Sequence, residues 1–379
     1  MTPYFMALEK KLKILHLTSH LDIGGITSVL LTLSKAFREN GHEVAILSGG
    51  GSCEEALRGA GARVYTFSIR TKNELSPKLF FALPKIIRLV REERFNILHA
   101  HTRVTQVLAA MVSLFTKVPV VTTAHGFYKR RLFRKMFGAW GKRVVAISPL
   151  VAEELEKTHR VPRSKIRIVY NGMDIADFKR RMMAHNPEWI KKELGIDEKI
   201  FVIGSISRLV HDKGQHFLIE AVKKLNKKHK NTILVIVGDG REKKSLEKLA
   251  SKLPKNQVKF LSAQPDITGI LSVLDVFVHP ATFREGFGLT LLEAMTAKIP
   301  VIATDIWALN TIIRNGVNGT LVAPKNADEI SRAIESVIEH PETAGSVAEN
   351  AFEMCSKLYS AERMAAELET VYGEVLNEP

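Results

Sequence analysis

The chain has 379 residues, 45% of them hydrophobic and 25% charged, with 55 Lys and Arg against 40 Asp and Glu for a formal charge of +15. That length exceeds what one hydrophobic core usually sustains, so two domains are expected, and the composition excludes a low-complexity or disordered chain. The charge excess favours an anionic partner, whether nucleic acid, a phosphorylated ligand or an acidic membrane surface, and does not choose among them.

Cys53 and Cys355 stand far apart, without partners at metal-ligand spacing, which argues against a disulfide framework or a zinc site and for a reducing compartment. Met1 to Lys11 is too short and too polar for a signal segment, and no apolar run approaches the roughly 18 residues of a membrane span. A cytoplasmic location is the expectation.

Short apolar strands alternate with amphipathic stretches along the whole chain, the pattern of parallel sheets covered by helices on both faces. Lys13 to Thr18 reads as the first strand; Asp22-Ile-Gly-Gly25 then turns into a helix whose Ile26, Val29, Leu30, Leu33 and Phe37 share one face. Further strands are predicted at Val44–Leu47, Val64–Phe67, Ile97–Ala100, Val120–Thr123, Val144–Ile147 and Ile166–Val169. Between about Asp174 and Lys199 the apolar period lapses around Arg180, Arg181, Asn186 and Pro187, and a polar, turn-rich domain junction is expected there. The rhythm resumes with strands at Phe201–Gly204, Ile233–Val237, Val258–Leu261, Val276–His279 and Val301–Ala303, and helices from Gln215, Arg241 and about Thr290. The expected fold is α/β: two Rossmann-like domains, residues 1–178 and 196–358, facing across a cleft, with ligands beyond the carboxyl ends of the strands.

The polar motifs fall at those strand ends. Gly24-Gly25 opens a helix, where bare backbone amides meet a phosphate or simply make a tight turn. No full dinucleotide fingerprint occurs, and Gly238-Asp-Gly240 lacks its third glycine, which argues against an NAD-dependent enzyme. His99, His101 and His125 end neighbouring strands and suit hydrogen bonding to a polar ligand; a metal site is not expected, for no carboxylate or Cys completes one. Arg208 and Lys213-Gly214 follow the first strand of the second half, where two cations can clamp a diphosphate. In Arg284-Glu-Gly-Phe-Gly-Leu-Thr-Leu-Leu-Glu-Ala-Met295, two carboxylates, Glu285 and Glu293, flank a glycine-bearing loop, with Glu293 expected on the first turn of the next helix.

In this order, these motifs resemble the family 4 retaining glycosyltransferases, which have the two-Rossmann, B-type fold. Their carriers are Glu285 and Glu293 as Glu-x7-Glu, Arg208 with Lys213-Gly214, His125 in Thr-Ala-His-Gly, Gly24-Gly25, and Tyr170-Asn-Gly-Met-Asp174. The resemblance implies that Glu293 binds the donor ribose, Arg208 and Lys213 the diphosphate, and Glu285 and His125 the sugar hydroxyls. It adds the amides of Gly286, Phe287, Gly288, Leu289 and Thr290, with Gly24, Gly25 and Asn171, to the donor site, and sends a terminal helix, Ala361 to Leu376, back onto the first domain. It also implies transfer with retention, no bound metal and no cofactor beyond the nucleotide-sugar co-substrate, in keeping with the absence of any Asp-x-Asp pair. Leu261-Ser-Ala-Gln264 offers backbone groups to a base; UDP is favoured and GDP remains open.

Two departures stand out: Asp305-Ile-Trp-Ala-Leu-Asn-Thr311 replaces the family's Gly-Gly and Pro-Glu, and Lys298 replaces a usual glycine. After His125-Gly126, Lys129, Arg130, Arg131, Arg134 and Lys135 are interleaved with apolar residues, a basic amphipathic stretch suited to an anionic membrane or a phosphorylated acceptor. The expected enzyme is a peripheral glycosyltransferase on the inner face of the cell membrane, acting on a bacterial glycan or glycolipid such as lipopolysaccharide core. A nucleotide-sugar epimerase of the same architecture is the alternative; a nucleic-acid-binding module fits less well, lacking interleaved aromatics and zinc motifs.

Overall fold

The computed structural model describes residues 11–128, 138–283 and 285–378. They form two compact units, Met1–Met173 with Ala361–Pro379, and Asp174–Ser360. The first holds β1 (Lys13–Leu17), β2 (Glu43–Ser48), β3 (Arg63–Thr66), β4 (Ile97–Ala100), β5 (Val120–Ala124), β6 (Arg143–Ala146) and β7 (Ile166–Ile168), in the order β3-β2-β1-β4-β5-β6-β7. The second holds β8 (Phe201–Ile206), β9 (Thr232–Val237), β10 (Val258–Leu261), β11 (Val276–His279), β12 (Val301–Thr304) and β13 (Thr320–Val322), in the order β10-β9-β8-β11-β12-β13. Neighbouring strands are parallel in both sheets. The winding reverses between β1 and β4 and between β8 and β11, the points at which open α/β sheets bind ligands.

Twelve of these strands lie within a residue or two of the sequence expectation. β13 was not anticipated, because three residues at a sheet edge, only Val322 of them buried, are too short to show a period.

Alternation along β1 sorts two cores. Leu15 and Leu17 face the helices Pro77–Glu93 and Arg103–Thr116 through Ile86, Val90, Leu108 and Val112. His16 points to the other face, against Phe37 of the helix Gly25–Glu39. The helix Ala361–Asn377 completes that face, burying Met364, Leu368, Val371 and Tyr372. It is tied down by Glu369 Oε1, which accepts from Asn40 Nδ2 at 2.7 Å and lies 3.1 Å from His42 Nε2, and by Arg143 Nε donating to Glu374 at 2.8 Å. In the second unit, Ile203, Leu234, Ile236, Val276, Val278 and Ile302 pack against Leu218, Val222, Ile330 and Ile334 of the helices Gln215–Leu225 and Ala327–Glu339.

The polar stretch after Asp174 is not a linker. It folds as helices Ile175–Met183 and Pro187–Glu193 and belongs to the second unit, so residues 174–178 leave the first domain to which the sequence assigned them. The turn-forming residues are helix caps. Asp174 Oδ1 accepts from the Asp177 amide at 2.9 Å, and Asn186 Oδ1 accepts from the Trp189 amide at 3.1 Å with Pro187 at the first helical position. Phe178 alone is fully buried on the two helices, so no apolar period betrays them.

Candidate active site

Two groups of candidate residues gather at the reversal points, one on each unit. On the second unit, Gly214 has φ +69°, and a Cβ there would meet the Pro280 carbonyl oxygen at 1.9 Å. Only glycine therefore lets the His211–Lys213 turn close on the end of β11, where the Thr282 amide donates to the Asp212 carbonyl at 2.9 Å. Lys213 Nζ is thereby set against Glu285 Oε2, and His279 Nε2 meets the same oxygen at 3.1 Å. Burial alone would raise the Glu285 carboxyl, but the hydrogen bond from His279 and the Lys213 charge outweigh it and hold it well below the usual range. Arg208, on the loop after β8, is exposed and makes no side-chain hydrogen bond among the described residues. Gly238 and Gly240 are required where they cross that loop: a Cβ would lie 2.0 Å from the Ser207 carbonyl oxygen and 2.1 Å from that of Leu209.

Gly288, at φ +91°, caps the helix Leu289–Thr296. The amides of Leu289 and Thr290 open that helix, where N–H groups have no intrahelical acceptor. Gly286 donates to Glu285 Oε1 at 3.3 Å, and Phe287 turns its buried ring onto Tyr359. Glu293 sits one turn later than expected, because the helix begins at Leu289, and the dipole of the first turn does not reach it. Its carboxyl makes no hydrogen bond among the described residues; burial pushes it up to about 7, against the pull of Arg181 and with the push of Asp266. Arg181 bonds Asp177 at 3.0 Å and Asp266 at 2.9 Å.

On the first unit, strand register sets His16 beside His99. His99 meets Tyr372 Oη at 2.6 Å and Thr123 Oγ1 at 2.7 Å. His101 meets His16 Nδ1 through Nε2 at 2.8 Å and His125 Nε2 through Nδ1 at 2.9 Å. Burial pushes His16 down to about 3 and His125 to about 4; burial and then neighbouring imidazoles hold His99 and His101 well below the ordinary value. All four are neutral near neutral pH. A Cβ on Gly24 or Gly126 would meet nothing within 4 Å, so both glycines border open space.

Other candidates divide differently. Asn171 is buried in the first unit, beside the Gly172 amide that contacts Met364 Sδ. The Leu261 carbonyl accepts from Gly238 at 2.9 Å and keeps a second lone pair, whereas the Ala263 amide donates to Asp239 at 2.8 Å and is spent on the loop. Lys129, Arg130, Arg131, Arg134 and Lys135 lie outside the described residues. The ring nitrogens of His16, His99 and His101 lie within 4.8 Å of one another, as do ligand atoms of His229, Glu335 and Glu339. A metal in the first trio would have to displace the protein partners that occupy both nitrogens of His99 and of His101.

Sequence reasoning missed His279, Arg181 and Asp266. His279 carried a signal, as the last residue of a strand at the reversal point; Arg181 was hidden in the stretch read as a linker.

Two doubly wound parallel sheets, with neutral histidines at the reversal point of the first and a group of cations and a carboxylate at that of the second, are the architecture of the B-type glycosyltransferase fold. Residues 23–177 match the model of Glycosyltransferase Family 4, and residues 187–354 that of Glycosyl transferases group 1. The chain belongs to the family 4 glycosyltransferases. It is 26% identical to an uncharacterized glycosyltransferase of Methanocaldococcus jannaschii, over 92% of this chain and 94% of that one. It is 27% identical to N-acetyl-alpha-D-glucosaminyl L-malate synthase of Bacillus anthracis, over 97% and 98%. Anabaena Alr3699/HepE, solved with UDP and glucose, shares the fold with a TM-score of 0.82 at 24% identity, over 96% of this chain and 99% of that one.

Proposed function

We propose that the chain transfers a sugar, with retention and without a metal, from a nucleoside diphosphate donor to an anionic or membrane-bound acceptor. The observation that carries this reading is the grouping of Arg208, Lys213, Glu285 and His279 at the β8/β11 reversal. There a diphosphate would meet the free guanidinium of Arg208 and draw Lys213 from Glu285, and Glu285, still held by His279, would accept from sugar hydroxyls. The cations then take up the charge that the leaving diphosphate gains as the glycosidic bond breaks. Glu293 would accept from the ribose. UDP is the favoured donor, in line with the UDP complex of the Anabaena protein.

For the acceptor we favour a bacterial glycolipid such as lipopolysaccharide core. A small anionic acceptor is the second reading, favoured by the likeness over 97% of this chain to N-acetyl-alpha-D-glucosaminyl L-malate synthase, whose name joins a sugar to a dicarboxylate.

The test is steady-state transfer with a UDP-sugar panel in EDTA, the product's anomeric configuration read by NMR. Arg208→Ala and Lys213→Ala should each lower kcat by ~10²-fold or more, since they act chiefly as the diphosphate leaves. Wild-type kcat in both variants, or activity that EDTA abolishes and Mn²⁺ restores, would sink this reading.

A further inference from the structure

The histidines of the first unit form a chain with one open end and one blind end. At the open end, His125 is partly buried and its Nδ1 meets no protein group among the described residues. At the other, His16 is fully buried, with Phe37 stacked against its ring, and its Nε2 has no hydrogen-bond partner among the described residues. Between them, the 2.8 Å and 2.9 Å contacts of His101 leave both its nitrogens engaged. His99 stacks on His101 at 4.3 Å but bonds Tyr372 and Thr123, so it stands outside the chain.

A neutral imidazole carries one N–H and one lone pair, so a chain of three admits two fully bonded registers. In one, His16 Nδ1–H donates to His101, His101 Nδ1–H donates to His125 Nε2, and His125 keeps a proton on its open Nδ1. In the other every bond reverses, His125 Nδ1 is a bare lone pair, and His16 Nε2 carries the last proton. The blind end decides between them. The reversed register buries an N–H against no acceptor, and the forward one leaves only an unused lone pair; orphaned donors are the rarer and costlier of the two in folded proteins.

We infer that His16 and His101 are positioning residues that hold His125 as its Nδ1–H tautomer, so that it offers a ligand oxygen a hydrogen-bond donor and has no lone pair there to act as a base. Extending this to a sugar hydroxyl rests on the proposed transferase function and the sugar-binding role that the family resemblance implies for His125, whereas the tautomer itself does not.

The full-length, donor-free protein labelled with ¹⁵N-histidine tests it by long-range ¹H–¹⁵N correlation spectra, with His125 signals assigned by their loss in His125→Gln. Wild type should show His125 protonated at Nδ1 and bare at Nε2; a proton on Nε2 overturns the inference. His16→Asp puts an acceptor-only group at the blind end and should move the His125 proton to Nε2, whereas His16→Asn, whose amide still donates, should leave it on Nδ1. A His125 proton that stays on Nδ1 in folded His16→Asp also overturns it. Should His16→Asp fail to fold, the wild-type spectrum decides. In the kinetic arm His16→Asp should lose about 5-fold or more in kcat and His16→Asn little, the loss expected for one neutral hydrogen bond. The expected tautomers with kcat unchanged in His16→Asp would uphold the inference and remove His125 from the sugar site.

Discussion

Glu285 and Glu293 face opposite proton economies within one loop and helix. Glu285 is pinned as a carboxylate by Lys213 and His279, whereas Glu293 is pushed up to about 7 by burial. A folded-state pKa above the ordinary value means that the native protein holds this proton more tightly than the unfolded chain. Stability from Glu293 is therefore intact at acid pH and is lost as pH rises from the ordinary carboxylate value towards about 7. In the proposed role of Glu293, accepting from two ribose hydroxyls would favour the ionised form, so donor binding would offset what the free protein loses. Glu293→Gln should match wild type in stability near pH ~4 and exceed it near pH ~8, with a higher Tm and an unfolding free energy greater by roughly 2 kcal/mol after discounting for the solvent the carboxyl still meets. The same variant should bind donor more weakly, and wild-type donor affinity should climb between pH ~6 and ~8 as Glu293 ionises. A Tm difference that is flat with pH, measured by scanning calorimetry, would exclude the shifted carboxyl. Both glutamates were legible in the sequence as a spaced pair flanking glycines. Their protonation was not, because His279, Arg181 and Asp266 reach them from other elements.

At the scale of elements, most of the sheet was readable because buried parallel strands are short apolar runs bounded by turns, while the two helices after Asp174 were not, since their caps look like a loop. Lys298 shows the same division. Its departure from glycine was evident in the sequence, but its reason lies 51 residues on, where Glu349 accepts from Nζ, and at Phe352, whose ring centre is 4.8 Å from that ammonium. Lys298 has φ +58°, the left-handed backbone that follows a helix and that glycine adopts freely. Holding a side chain there costs about 1–2 kcal/mol. The half-exposed ion pair returns ~0–1 kcal/mol and the cation-π contact about 0.5–1 kcal/mol. These nearly cancel, so Lys298→Gly should change stability by less than about 1 kcal/mol, whereas Lys298→Ala keeps the strain, loses both contacts and should destabilise by ~1 kcal/mol. Urea unfolding of the pair checks this, and an alanine variant as stable as the glycine one would refute the compensation.

At the scale of the whole molecule, the first unit is discontinuous: Ala361–Asn377 returns to it and supplies Tyr372, whose hydroxyl bonds His99 at 2.6 Å. The end of the chain thus takes part in packing the histidines that the sequence placed at strand ends. The net charge of +15 is also a property of the whole, and among the described residues no helix is long and apolar enough to cross a membrane. On the proposed membrane-bound acceptor, charge and shallow apolar contact would hold the protein at the surface. Lys129, Arg130, Arg131, Arg134 and Lys135 are the densest cationic run beside His125, interleaved with Leu132 and Phe133. Each cation at an anionic surface contributes about 1 kcal/mol, so five can hold the enzyme reversibly. Such attraction fades within a Debye length, ~10 Å at 0.1 M salt and ~3 Å at 1 M. Wild type should therefore sediment with phosphatidylserine-containing vesicles at low salt and largely dissociate at high salt, and a variant with all five changed to Ser should bind far less at low salt. Transfer to a vesicle-embedded acceptor should fall in the variant in parallel, while transfer to a soluble acceptor should not. If wild type stays in the supernatant at low salt and the variant glycosylates the embedded acceptor equally well, the stretch is solvated surface, and the small anionic acceptor becomes the better reading.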